Sequence, residues 1–219
     1  MGAIARSAAN LITTSGVVLK GAVNNDSFDN VTALPSAVGE DGITFISSQT
    51  ASASANISFT SGIDSTYKAY KFVFVNMHPA TDDVYFQFNL STDGGSNYNV
   101  TKTTTWFTTY HSESGTGGSL IYGTGNDSAQ STSDQYITGG GLGNGSDEST
   151  SGYLQLFNPS STTYVKHFMS NINYYYFGNE TGNSYMAGYG NTTSAVNAVR
   201  FQMGSGNIDA GTIYMYGIK

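Results

Sequence analysis

The chain has 219 residues, of which 11% are charged and 13% aromatic, with no cysteine and a formal net charge of −7. That length fits one larger all-β domain, or one domain with an appendage, and can bury enough core to stand without disulfides. The absence of cysteine excludes disulfides and thiolate metal sites, the acidic balance excludes a basic nucleic-acid footprint, and low charge with many aromatics excludes a disordered chain.

The opening stretch, MGAIARSAANLITTSGVVL, has no cationic leader ahead of a continuous apolar run, so no secretory signal is expected. Arg6 stands where a myristoylation motif needs Ser or Thr. No stretch of about 20 apolar residues follows, so no membrane-spanning helix is expected. Residues 1–40 read as an extended N-terminal arm, because short apolar clusters alternate with small polar residues and include Pro35. Leu11, Ile12, Val17, Val18 and Leu19 are too apolar to leave in water and are candidate contact residues on another protein surface.

From Ile43 onward period-two alternation dominates, with β-branched and aromatic residues interleaved with Ser, Thr, Asn and Gln. Expected strands in chain order are ITFIS, NISFTS, AYKFVFVNM, VYFQFNLS, VTKTTTWFTTY, GYLQLFN, TYVKHFMSNI, SYMAGYG, AVNAVRFQM and TIYMYGI. AYKFVFVNM is apolar on both faces and suits a central strand. In AVNAVRFQM, Val199, Phe201 and Met203 face one way and Arg200 and Gln202 the other, as in a half-buried antiparallel sheet. Asp93-Gly94-Gly95 tolerates the positive φ of a tight turn and is expected to close a hairpin. Gly115 to Gly152 is rich in Gly, Ser, Thr and Asp and reads as a long excursion, with a short strand near Tyr136 and Ile137.

Residues 196–218 are expected to form a terminal hairpin in the core. Ile213 and Met215 share one face there, Tyr214, Tyr216 and Ile218 the other, and both faces call for burial. Many short strands with Gly-rich turns predict an all-β fold: an antiparallel β-sandwich, jelly-roll-like, over residues 41–219.

Motifs for chemistry are weak. His78, His111 and His167 stand far apart, and His167 is expected to face solvent or a subunit contact. Asp82-Asp83 and Asp147-Glu148 are adjacent pairs whose side chains diverge in extended chain, so neither is a glycosidase dyad by spacing. GTGNDS and GNGSDES read as turns, since neither has the spacing of a calcium loop. No catalytic, metal or cofactor-binding residue is expected. Trp106, with Phe107 and Tyr110 beside it, and the run Tyr174, Tyr175, Tyr176 and Phe177 are candidate exposed binding residues, because an extended run of aromatics must present some of them outward.

Three segments, FTSGIDSTYKAYKFVFVNMHPATDDVYFQFNLSTDGGSNYNVTKTTT, LFNPSSTTYVKHFMSN and NTTSAVNAVRFQMGSGNIDAGTIYMYGIK, resemble virion structural proteins of tailed phages of marine bacteria, over roughly residues 57–219. The resemblance implies a particle component with no catalytic residues to transfer. At ionic strength approaching 1 M, exposed charges are screened within about 3 Å, so assembly there relies on apolar contact and uncharged hydrogen bonds. The expectation is a non-enzymatic capsid decoration or cement protein on the virion surface. Its partners would be itself, as a homotrimer, and the major capsid protein or another virion protein, with no nucleic acid, membrane or cofactor. The alternative is a tail-fibre or receptor-binding component that meets host glycan through residues 115–152, Trp106 or Tyr174–Tyr176, and a glycan hydrolase ranks third.

Overall fold

The alternation from Ile43 onward becomes twelve strands in the structure, a computed structural model that describes residues 42–219. They are β1 (Ile43–Thr50), β2 (Ile57–Phe59), β3 (Ala69–Pro79), β4 (Phe86–Ser91), β5 (Lys102–Ser112), β6 (Gly118–Tyr122), β7 (Gln135–Tyr136), β8 (Thr150–Phe157), β9 (Lys166–Tyr176), β10 (Glu180–Gly190), β11 (Ala198–Met203) and β12 (Ile208–Ile218). No helix occurs among the described residues.

Two antiparallel sheets result. The larger has the order β1-β12-β3-β8-β9-β10-β5-β6 and the smaller β2-β11-β4-β7. Eight strands pair from the ends of the chain inward: β1 with β12, β2 with β11, β3 with β8 and β4 with β7, assigned alternately to the two sheets. That nesting is the jelly-roll connectivity. The remaining four strands, β9, β10, β5 and β6, extend the large sheet beyond β8.

Aromatic packing joins the sheets. Phe201 of β11 lies 5.3 Å from Phe72 and 5.0 Å from Phe74 of β3, ring centre to ring centre, and Phe88 of β4 lies 5.1 Å from Phe168 of β9. The Phe74 and Phe168 contacts are edge-to-face and the Phe72 contact is tilted, and such pairs add to the burial energy of each ring. Val199, Phe201 and Met203 are buried while Arg200 and Gln202 reach outward to the Asp134 carboxylate, as their alternation predicts. β3 is a central strand between β12 and β8. On β12, Ile213 and Met215 are fully buried, whereas Tyr214, Tyr216 and Ile218 are half-buried on the far side of the sheet between β1 and β3.

Two expected hairpins are corrected. β11 and β12 are consecutive but lie in opposite sheets, and so do β4 and β5. The turn at Asp93 is nevertheless built as its residues require: Gly94 and Gly95 have φ of 71° and 91°, and the Asp93 carboxylate accepts hydrogen bonds from Asn97 and Ser91. Those bonds hold that carboxyl down to a pKa of about 2. The turn reverses the chain and hands it across the sandwich instead of back along the same sheet.

Residues 115–152 do not simply leave the sandwich. They contain β6 and β7, and Ile137 and Leu142 are fully buried in the core. Pairing of β7 with β4 in the small sheet, and backbone bridges from Ser131 to Lys102 and from Leu142 to Tyr176 in the large one, fasten this segment onto both sheets.

Candidate functional site

Strand parity in the extension of the large sheet decides which side chains are presented. On β5 the even positions Lys102, Thr104, Trp106 and Thr108 point inward and are buried, while Thr105, Phe107, Thr109 and His111 point outward and are exposed. Trp106 is therefore not a surface platform, in contrast to the expectation: it is 1% exposed. Segment 123–139 lies directly over its indole, since a Cβ at Gly123 or Gly139 would collide with the ring. Only glycine permits that approach.

Tyr174 is also buried, and its ring lies against the backbone of Gly182 on β10. Its hydroxyl shares a hydrogen bond of 3.2 Å with Thr108 Oγ1. Tyr175 points to the opposite side and donates to Asn179 Oδ1 at 3.0 Å. Tyr176 returns to the inner side, where Gly140 and Gly178 flank its ring. The run is thus split between two surfaces and is not one exposed patch. Leu11, Ile12, Val17, Val18 and Leu19 lie outside the described residues.

Beyond Trp106, on the same inner side, a cleft of about 350 Å³ opens between the extension and segment 139–140. Tyr85, Thr108, Tyr110, Ile121, Tyr174, Tyr176 and Glu180 line it. Tyr85 is braced by stacking on Tyr136 with ring centres 4.5 Å apart. Burial pushes the Tyr85, Tyr174 and Tyr176 hydroxyls above the ordinary tyrosine range, and the Asp83 charge adds to this at Tyr85 and Tyr176. All three are therefore neutral donors and acceptors at physiological pH.

The outer side of the extension is different in character. Phe107 and Tyr185 stack with ring centres 5.1 Å apart and are 41% and 40% exposed. Beside them Thr103, Thr105, His167, Met169, Ala187 and Tyr189 border a largely apolar groove of about 450 Å³. His167 is exposed on this side, as expected. The sheet ends in β6, every residue of which is exposed, including Leu120 and Tyr122.

The remaining polar candidates do structural work. Glu148 accepts a hydrogen bond of 2.7 Å from the Gly145 amide, which closes the GNGSDES turn, and Asp82 accepts one from the Asn144 amide. His78 approaches Asp209 at 3.7 Å and contacts the Gly145 carbonyl. Among the described residues no three His, Asp or Glu side chains converge in a metal-binding set.

Among the cleft residues, Tyr110 stood with the candidate aromatics, whereas Tyr85, Thr108 and Glu180 carried no sequence signal of their own. Parity along β5 and β9 would have grouped Thr108 with Tyr110 and Tyr174 with Tyr176, but the register that brings the groups together is long-range. No family model matches the chain, and neither curated proteins nor solved structures match it.

Proposed function

We propose that the protein is a non-enzymatic structural component of a phage virion, a capsid decoration or cement protein that associates with copies of itself, as a trimer, and with the capsid. The observation that carries this reading is the apolar end of the large sheet. Leu120 and Tyr122 are 68% and 53% exposed on β6, whose outer edge has no partner strand among the described residues, and Tyr122 continues across the register into Phe107 and Tyr185. An exposed edge strand with apolar side chains is a template for pairing with another chain, and folds that expose one normally cover it. The resemblance to virion structural proteins of tailed phages supports the setting, and the jelly roll is a fold used in viral shells.

Sedimentation equilibrium of the purified protein tests the reading, with a trimer expected. Replacing Leu120 and Tyr122 by Lys should yield a folded monomer that no longer sediments with capsids. A wild-type protein that stays monomeric and does not bind capsids would overturn the proposal. Copy number per particle separates it from a tail-fibre role, because a decoration protein approaches the stoichiometry of the shell.

A further inference from the structure

We infer that the tyrosine-lined cleft is a binding site for a neutral saccharide, with hexopyranose rings as the ligand class. Apart from Ile121 on β6, the site is built from residues outside the apolar patch that carries the assembly reading: Tyr110 and Glu180 face the opposite side of β5 and β10, Tyr174 and Tyr176 come from β9, and Tyr85 precedes β4.

Hydroxyls make the case. The phenolic oxygens of Tyr85, Tyr110 and Tyr176 and the carboxylate of Glu180 form no hydrogen bond with the described residues, although all four line one cavity. Tyr174, the fourth tyrosine, is the one whose hydroxyl is already engaged, with Thr108. Three neutral phenols and one carboxylate form a rim of donors and acceptors around a cavity that Ile121 and the tyrosine rings make partly apolar. A sugar ring has the matching character: hydroxyls around its edge and C–H groups on its face. At about 350 Å³ the cleft is at the small end of ligand sites.

Charge narrows the class. No Lys or Arg lines the cavity, and the Glu180 and Asp83 charges act on Tyr176. Sialic and uronic acids, phosphates and nucleotides would meet this negative potential without a cationic partner. A cationic ligand caged by aromatic faces is the competing fit. The faces here are largely covered, however: Tyr85 by Tyr136, Tyr174 by Gly182, and Tyr176 by Gly140 and Gly178. The cleft therefore offers hydroxyls more than open ring faces, which favours a polyol over a quaternary ammonium.

The preformed shape also argues for a site. Gly140 has no room for a side chain, since a Cβ there would lie 2.7 Å from the Tyr176 ring, and the cleft floor is thereby fixed against β9. A rigid rim lowers the ordering loss on binding.

Saturation-transfer NMR and titration calorimetry of the full chain against D-glucose, D-galactose, D-mannose and N-acetyl-D-glucosamine test the inference, with N-acetylneuraminic acid and choline as comparison ligands. At least one neutral sugar should bind with a Kd of about millimolar order, and neuraminic acid should not. Glu180→Gln keeps the side-chain size and should weaken that sugar about tenfold, and Tyr176→Phe should weaken it about threefold or more. Thermal melts of both variants verify folding, and Tyr164→Ala, at an exposed tyrosine that lines neither the cleft nor the sheet edge, should leave sugar binding unchanged. The inference is overturned if no neutral sugar binds below about 20 mM, if both cleft variants bind as the parent does, or if choline binds in place of the sugars. None of these outcomes bears on whether the sheet edge assembles.

Discussion

The Lys102 ammonium on β5 donates a hydrogen bond of 2.7 Å to Asn89 Oδ1 on β4, tying the large sheet to the small one through two buried residues. A second bond runs from Lys102 Nζ to the Val100 carbonyl at 2.8 Å. Burial lowers the Lys102 pKa to about 8, while the Asp134 charge works in the opposite direction. The bonds satisfy the ammonium's geometry without restoring the hydration it loses.

The pH dependence of stability follows from that shift. A lysine whose pKa is lower folded than unfolded binds fewer protons in the native state, so stability rises as pH climbs from 8 toward the unfolded value. The penalty is fully present below pH 8. Chemical denaturation of the parent between pH 7 and 10 should show a gain of about 2 kcal/mol that Lys102→Met lacks. Lys166, also desolvated, contributes in the same direction to both proteins and cancels in the comparison. Identical slopes for parent and variant would refute the assignment.

Trp106 and Gly139 should behave as a coupled pair. Gly139→Ala pushes a methyl into the indole and to 2.8 Å from Ser184 Oγ, an overpacking expected to remove about 1–3 kcal/mol of stability. Trp106→Ala should cost about 3–5 kcal/mol through loss of a buried aromatic. In the Trp106→Leu background, Gly139→Ala should be milder by at least about 0.5 kcal/mol, because the smaller side chain leaves room for the methyl. Urea denaturation of the four proteins in the cycle measures this, and simple additivity would show that the two residues do not share the space.

Gly211 marks a bulge where β12 slips against β3, with register breaks on both sides of Ala210. Its φ is 116°, and a Cβ would lie 2.6 Å from the Asn76 carbonyl and 2.7 Å from Met77 Cα. Backbone cannot yield as a side-chain tip can. Gly211→Ala should therefore destabilise the fold by about 2 kcal/mol or more, seen as a lower denaturation midpoint with an unchanged slope.

Phe107 and Tyr185 should matter for assembly and little for folding. Replacing both with Ser removes the exposed stack while the inner face of β5 and β10 is untouched. The melting temperature should move by only a few degrees, whereas the sedimentation profile should shift toward monomer. A large loss of stability with unchanged association would reverse these roles.

Much of the strand content was legible because alternation is a local property. AYKFVFVNM became the central β3, and VNAVRFQM turned Val199, Phe201 and Met203 inward as its pattern requires. β6 escaped notice since all five of its residues are exposed, which leaves no alternation to read. Trp106 was misplaced for another reason. Neighbouring positions Trp106 and Phe107 are both aromatic, so parity says they oppose one another without saying which is inside, and the roof of Gly123 and Gly139 decides it. The turn at Asp93 was readable from its glycines, yet turn chemistry does not specify whether the next strand rejoins the same sheet.

By itself the sequence determined that residues beyond Ile43 form an antiparallel, two-layered β-structure, because side-chain periodicity and turn residues act over a few positions. The tertiary structure alone decided the nested pairing of β1 with β12 and β4 with β7, the overhang that extends the large sheet, and the meeting of Tyr85, Tyr110, Tyr176 and Glu180 around one cleft. Those contacts join segments far apart in the chain, 95 positions from Tyr85 to Glu180 and 175 from Ile43 to Ile218. Long-range register sets them, and a single strand's pattern carries no record of its partner.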